Sequence, residues 1–159
     1  MAAWAVLALL IVGGGVLVSK RAPMEEAPLA LRTIGWAGKT GPGFAAVTTE
    51  AELERAWAQL PQAPPVPQVD WDREWVVAAF MGERPTGGYR ITMDEARVAG
   101  REVRIRVTTR EPGPTDVVTM VITYPAHWAA VERPGRPGDY DVIWYDDEGH
   151  VLAAMEVTF

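Results

Sequence analysis

The chain contains no cysteine and no asparagine, and its only serine, Ser19, sits at the edge of an apolar run. Without cysteine there are no disulfides, no thiolate nucleophile and no site for a diacylglycerol anchor. Ser/His/Asp and Cys/His catalysis are excluded, because no suitably placed nucleophile exists. Histidine occurs only at His127 and His150, a pair without metal-ligand spacing, so no metal and no cofactor is expected. Lysine is nearly absent too, with Lys20 and Lys39 alone among 15 basic residues. Loss of heat-labile asparagine, arginine in place of lysine and proline-rich loops together give a thermophile-like composition. Acids outnumber bases by 21 to 15, which argues against nucleic acid as a partner, since that ligand demands a basic face.

What the sequence does hold begins with a charge-free run, Ala2 to Val18. As a helix it would span about 25 Å, the short end of what a bilayer core accepts. Residues 1–20 therefore read as an N-terminal transmembrane anchor or signal segment, placed in the membrane through residues 2–18. No basic residue precedes the run and no small-x-small cleavage site follows it, which favours an uncleaved signal-anchor. Lys20 and Arg21, taken alone, would hold the following chain on the cytoplasmic side. Residues 21–30 read as a charged, proline-marked tether, and a single folded domain is expected over 31–159.

That domain reads as mainly β (α+β), an antiparallel β-sandwich or barrel-like fold with one N-terminal amphipathic helix. The helix is "TTEAELERAWAQL", where Thr49 and Glu52 have capping-box spacing and Leu53, Trp57 and Leu60 share one face. "PQAPPVPQ" ends it. The apolar run at 75–81 reads as a fully buried strand, and a second strand opens at Tyr89. "REVRIRVTT" alternates, with Val103, Ile105 and Val107 inward and Arg104 and Arg106 outward. "TDVVTMVITY" (115–124) and "HWAAVER" (127–133) are expected as strands. Residues 140–159 form a closing hairpin that turns at Asp147-Glu148-Gly149. "GWAGKTGPGF" (35–44) reads as loop.

Between the strands at 75–81 and 89 stands "GERPTGGY". Proline fixes one φ, and the paired glycines permit φ > 0 at two more positions. Either the loop has a difficult shape to hold, or its outward backbone N–H groups capture a ligand. Arg84, Pro85, Thr86, Gly87, Gly88 and Tyr89 are the candidate partner-binding residues, with Tyr89 as the structural pin. The acids Asp70, Asp72, Glu74, Asp94 and Glu95 offer carboxylates for hydrolysis only if a cleft holds two of them about 5 to 9 Å apart. "DYDVIWYDDEGH" lacks the ligand alternation of a calcium loop.

"VDWDREWVVAAFMGERPTGGYRI", followed by "VRIRVTTREPGPTDVVTMVITYP", resembles the PrcB C-terminal domain family, named after an accessory subunit of a bacterial surface protease complex. The matching positions are Val69-Asp70-Trp71, Val76 to Phe80, Gly82, Arg84 to Tyr89 and Thr123-Tyr124-Pro125, the last with Tyr and Pro exchanged. The resemblance covers about residues 31–135. It implies a non-catalytic, envelope-anchored binding domain outside the cytoplasm at the cell membrane, accessory or regulatory to an extracytoplasmic protease. "RPTGGY" is also similar to the N-P-T-T-G-Y loop of chagasin-type cysteine-protease inhibitors. Here Arg84 replaces the asparagine, and Arg133-Pro134-Gly135 lacks the aromatic residue of the inhibitors' later loop. Inhibition through loop 82–89, a purely structural envelope module and an acid-dependent hydrolase are the alternatives.

Overall fold

In the computed structural model the described residues are 7–12, 15–20, 25–61 and 63–159, with side chains described from residue 25 onward. Of the expected membrane segment, residues 1–6 and 13–14 lie outside them. Of it, only the backbone of β1 (Leu7–Val12) and β2 (Gly15–Lys20) is described, paired antiparallel with Leu7 opposite Lys20. Among the described residues no helix is long and apolar enough to cross a membrane.

The remaining elements follow in order: β3 (Ala27–Leu29), β4 (Leu31–Gly35), β5 (Pro42–Val47), α1 (Glu50–Trp57), β6 (Glu74–Met81), β7 (Arg90–Ala99), β8 (Glu102–Arg110), β9 (Ala126–Glu132), β10 (Asp139–Tyr145) and β11 (Val151–Thr158). They form two sheets, one ordered β11-β10-β8-β7-β3 and the other β4-β9-β6-β5. Every neighbour pair is antiparallel except β8 with β10. The sheets face each other as a sandwich and do not close into a barrel. β3 falls within the stretch expected as tether and pairs with β7, Ala27 opposite Val98. The chain then crosses at Ala30 from one sheet to the other.

The unbroken apolar run of β6 has a plain cause. Its odd residues Trp75, Val77, Ala79 and Met81 enter the core between the sheets, against Met93, Ile105 and Trp144. Its even residues Val76, Ala78 and Phe80 face the other way, into a second core closed by α1 through Leu53 and Trp57. A strand covered on both faces has no polar side to show, so alternation disappears. β8, covered on one face, alternates as expected, with Val103, Ile105 and Val107 buried.

The helix starts where its capping residues place it. The Thr49 side chain accepts the Glu52 N–H at 3.3 Å. Glu52 reaches back one residue further than a standard capping box, accepting the Thr48 N–H at 3.0 Å. That bond holds the Glu52 carboxyl below its usual range. Trp57 seats the helix: it is buried, donates its indole N–H to the Pro64 carbonyl at 2.7 Å and meets Trp128 edge-on at 5.0 Å.

Two expectations need correction. "GWAGKTGPGF" is not all loop, since β4 ends at Gly35 and β5 begins at Pro42. β5 is a sheet edge, where a leading proline leaves no ladder bond unmade. Conversely, "TDVVTMVITY" is not a strand. From Glu111 to Pro125 the chain runs irregularly, with an isolated bridge between Thr123 and Arg84 and a hydrogen bond from the Met81 N–H to the Pro125 carbonyl at 2.9 Å.

Candidate binding surface

That irregular excursion and loop 82–89 are one structure. The Arg84 N–H donates to the Thr123 carbonyl at 2.8 Å, and the Thr123 N–H returns to the Arg84 carbonyl at 2.9 Å. The Gly87 N–H donates to the Thr119 carbonyl at 2.9 Å, and the Thr123 hydroxyl donates to the Thr86 carbonyl at 2.8 Å. On the other flank the Glu83 N–H donates to the Thr40 carbonyl at 3.0 Å. The backbone N–H groups of residues 83, 84 and 87 thus point into neighbouring chain segments, not outward as an anion-capturing nest would need. The Thr86 hydroxyl is turned inward too, donating to the Gly87 carbonyl at 3.1 Å.

The two glycines do different jobs. Gly88 has φ of +89°, and a Cβ there would come 2.8 Å from Val118 Cγ1 and 3.0 Å from Pro112 Cβ. Gly87 needs no positive φ. A Cβ there would lie 2.5 Å from Thr119 Oγ1, so it is glycine because the neighbouring loop passes so close. Arg84 carries its guanidinium over the Tyr89 ring at 5.5 Å, with its Nε buried and without a hydrogen-bond partner. Tyr89, at the end of the loop, packs against the inter-sheet core.

What this clasp holds in place is apolar. Val117 and Met120 stand in water with relative exposures of 103% and 84%, and Val121 and Ile122 are exposed beside them. Sequence reading assigned these residues to a strand and so missed them. The available signal was their framing by Pro112, Pro114 and Pro125, together with a pattern that fails to alternate.

Beneath lies a buried histidine that bridges the sheets. The Met93 N–H on β7 donates to His127 Nδ1 at 2.8 Å, which leaves the proton on Nε2, facing Thr33 Oγ1 at 2.8 Å. The free N–H belongs to the bulge that interrupts β7 pairing between Met93 and Glu95. Trp36, more than half exposed, stacks on the imidazole at 4.5 Å. Burial pushes the His127 pKa down, with the Asp94 carboxylate pulling weakly the other way.

Of the carboxylates considered for hydrolysis, Glu74, Asp94 and Glu95 are paired with arginines. Glu74 and Asp72 border a hollow of about 550 Å³ with Glu132. Glu74 is gripped by Arg32 through Nε at 2.7 Å and Nη2 at 2.6 Å. The guanidinium holds its carboxyl below the usual range, opposite to the shift a general acid requires. Asp94 receives Arg106 at 2.8 Å on the solvent face of the sheet. Among the described residues no three acids or histidines gather as a metal site.

Comparison with known proteins bears on the same region. Residues 75–132 match the family described as PrcB C-terminal. No curated protein and no solved structure matches the chain. The matched residues include the clasp, the apolar loop and the strands β6 to β9 that carry them.

Proposed function

We propose that this protein is a non-catalytic binding module, accessory to an extracytoplasmic protease and attached to the cell envelope through residues 2–18. The observation that carries the reading is the loop of Val117, Met120, Val121 and Ile122. Four large apolar side chains are left in water on a segment that hydrogen bonds hold to the "GERPTGGY" clasp. A loop of that length without secondary structure is uncommon in a compact domain unless it has a function, and contiguous exposed apolar surface is characteristic of a contact site. The family match supports association with a protease complex. In this reading loop 82–89 braces the contact surface more than it forms it. An inhibitor that inserts loop 82–89 into a protease cleft has less support, since that loop is tied down on both flanks.

The test is capture of the partner by the full chain. A tagged copy expressed in its native cells should bring down proteolytic activity from the envelope. The Val117→Ser, Met120→Ser, Val121→Ser variant should lose that activity while keeping its melting temperature, because the replaced groups are mostly exposed to water. Equal recovery by the variant would remove the loop from the reading. Inhibition of the captured protease by added chain would favour the inhibitor instead.

A further inference from the structure

Beside the apolar loop, Tyr89 and Arg90 form a shared wall between two hollows. One, of about 290 Å³, is lined by Trp36, Tyr89, Ile91 and Pro125. The other, of about 410 Å³, is lined by Arg90, Arg110, Asp116 and Val117. Resting on the binding-module reading, we propose that the pair receives an extended acidic segment of the partner protein. A proline, leucine or aromatic side chain would lie against Trp36, and an adjacent carboxylate would lie between Arg90 and Arg110.

Charge is the first argument. Arg90 and Arg110 are direct partners in the β7–β8 register, so two like charges face each other across one ladder position. Such pairs are destabilising in a sheet. Elsewhere the same two strands place acids beside their arginines, Asp94 with Arg106 and Glu102 with Arg104. Here Arg90 has no ion-pair partner among the described residues. Arg110 has only Asp116 at 3.6 Å, and that carboxylate also accepts the Gly113 N–H at 3.0 Å. Arg97 and Arg104 face each other in the same way, but Glu26, Glu95 and Glu102 pair with them; of the arginines on these two strands Arg90 alone is left for a ligand carboxylate to neutralise.

The second argument is shape. One face of Trp36 is occupied by His127, and the residue remains 55% exposed beside a small hollow that Ile91, Pro125 and Ala126 also line. Aromatic walls of this kind recognise extended, proline-containing segments, whose conformational entropy is already low. The aromatic and basic hollows share one wall, so neighbouring side chains of a single strand-like segment reach both.

The probe is a randomised hexapeptide display library selected on the purified full chain. Enriched sequences should place Asp or Glu beside Pro, Leu or an aromatic residue, and the enriched peptide should shift the Trp36 indole resonance. The Arg90→Glu, Arg110→Glu variant should bind that peptide at least tenfold more weakly while melting no lower than the parent. Absence of enrichment, enrichment without acids, or undiminished binding by the variant overturns the proposal. The two readings separate cleanly. If partner capture fails in the apolar-loop variant but survives Arg90→Glu, Arg110→Glu, the module reading stands and this inference falls.

Discussion

Replacing His127 by glutamine should flatten the acid side of the domain's stability profile, and the structure gives the size of the effect. The imidazole is 2% exposed, accepts a backbone N–H at Nδ1 and donates at Nε2. Protonation would turn Nδ1 into a donor facing the Met93 N–H, in a site where burial already disfavours charge. Above its ordinary pKa of 6.5 the ring is neutral in both folded and unfolded chains, and protons do not discriminate between them. Below 6.5 the unfolded chain takes up a proton that the folded chain refuses. Stability then falls with pH by up to about 1.4 kcal/mol per unit, until the lowered folded-state pKa is reached. The carboxyls held low act at greater acidity. Glu52 (bonded by Thr48) and Glu74 (bonded by Arg32) lose stabilisation as pH falls below 4.5, and Asp146 (bonded by the His150 N–H) as it falls below 3.8. Urea unfolding of both proteins at about pH 7.5 and pH 5.5 measures the difference directly. At the higher pH the glutamine variant should be weaker by about 1 to 3 kcal/mol, the cost of a poorly satisfied buried N–H. At the lower pH the gap should have shrunk, by up to about 1.4 kcal/mol. Parallel profiles for the two proteins would refute the reasoning, since His127 could not then be the group whose charge is excluded.

Trp57→Ala should cost about 3 to 5 kcal/mol in the same assay, because the ring fills the second core and satisfies the Pro64 carbonyl; a loss below one would make the helix peripheral. Gly88→Ala should destabilise by about 1 kcal/mol or more through its positive φ. Gly87→Ala should also destabilise, but Thr119→Ala in the same chain should recover much of the loss by removing the one clashing oxygen; additive losses would contradict the close approach. A C-terminal alkaline phosphatase fusion should be active and a cytoplasmic reporter silent, whereas the reverse pattern would show that Lys20 and Arg21 set the orientation.

Much of this fold was legible where a residue's environment repeats with the local period. β8 shows one covered face and reads as alternation, the helix announces itself through Thr49 and Glu52, and the closing hairpin through Gly149 at φ +87°. β6 was legible as buried, although the reason, a helix on one side and a sheet on the other, involves residues that precede and follow it in the chain. What escaped depends on distant partners. β5 is extended because β6 lies beside it, despite Pro42 and Gly43. The run 117–122 forms no strand ladder and is tied to loop 82–89 at Thr119 and, just beyond it, at Thr123. For the candidate site, "GERPTGGY" was recognisable as unusual, but not that its N–H groups are turned inward. Trp36, Arg90 and Arg110 could not be grouped from sequence, since a loop after β4 and the facing ends of β7 and β8 bring them together.

The parallel pairing of β8 with β10 has a consequence for how the chain reaches its native state. No local hairpin can make that contact, because the intervening segment must first visit the opposite sheet as β9. Trp75 in turn waits for Phe159, which meets it edge-on at 5.0 Å from beyond β11. A ribosome that has released β6 to β9 has therefore made a chain whose main core is still open along one side. Contacts of such long sequence separation form slowly, and the interval leaves the nascent domain pliable until β11 has been synthesised.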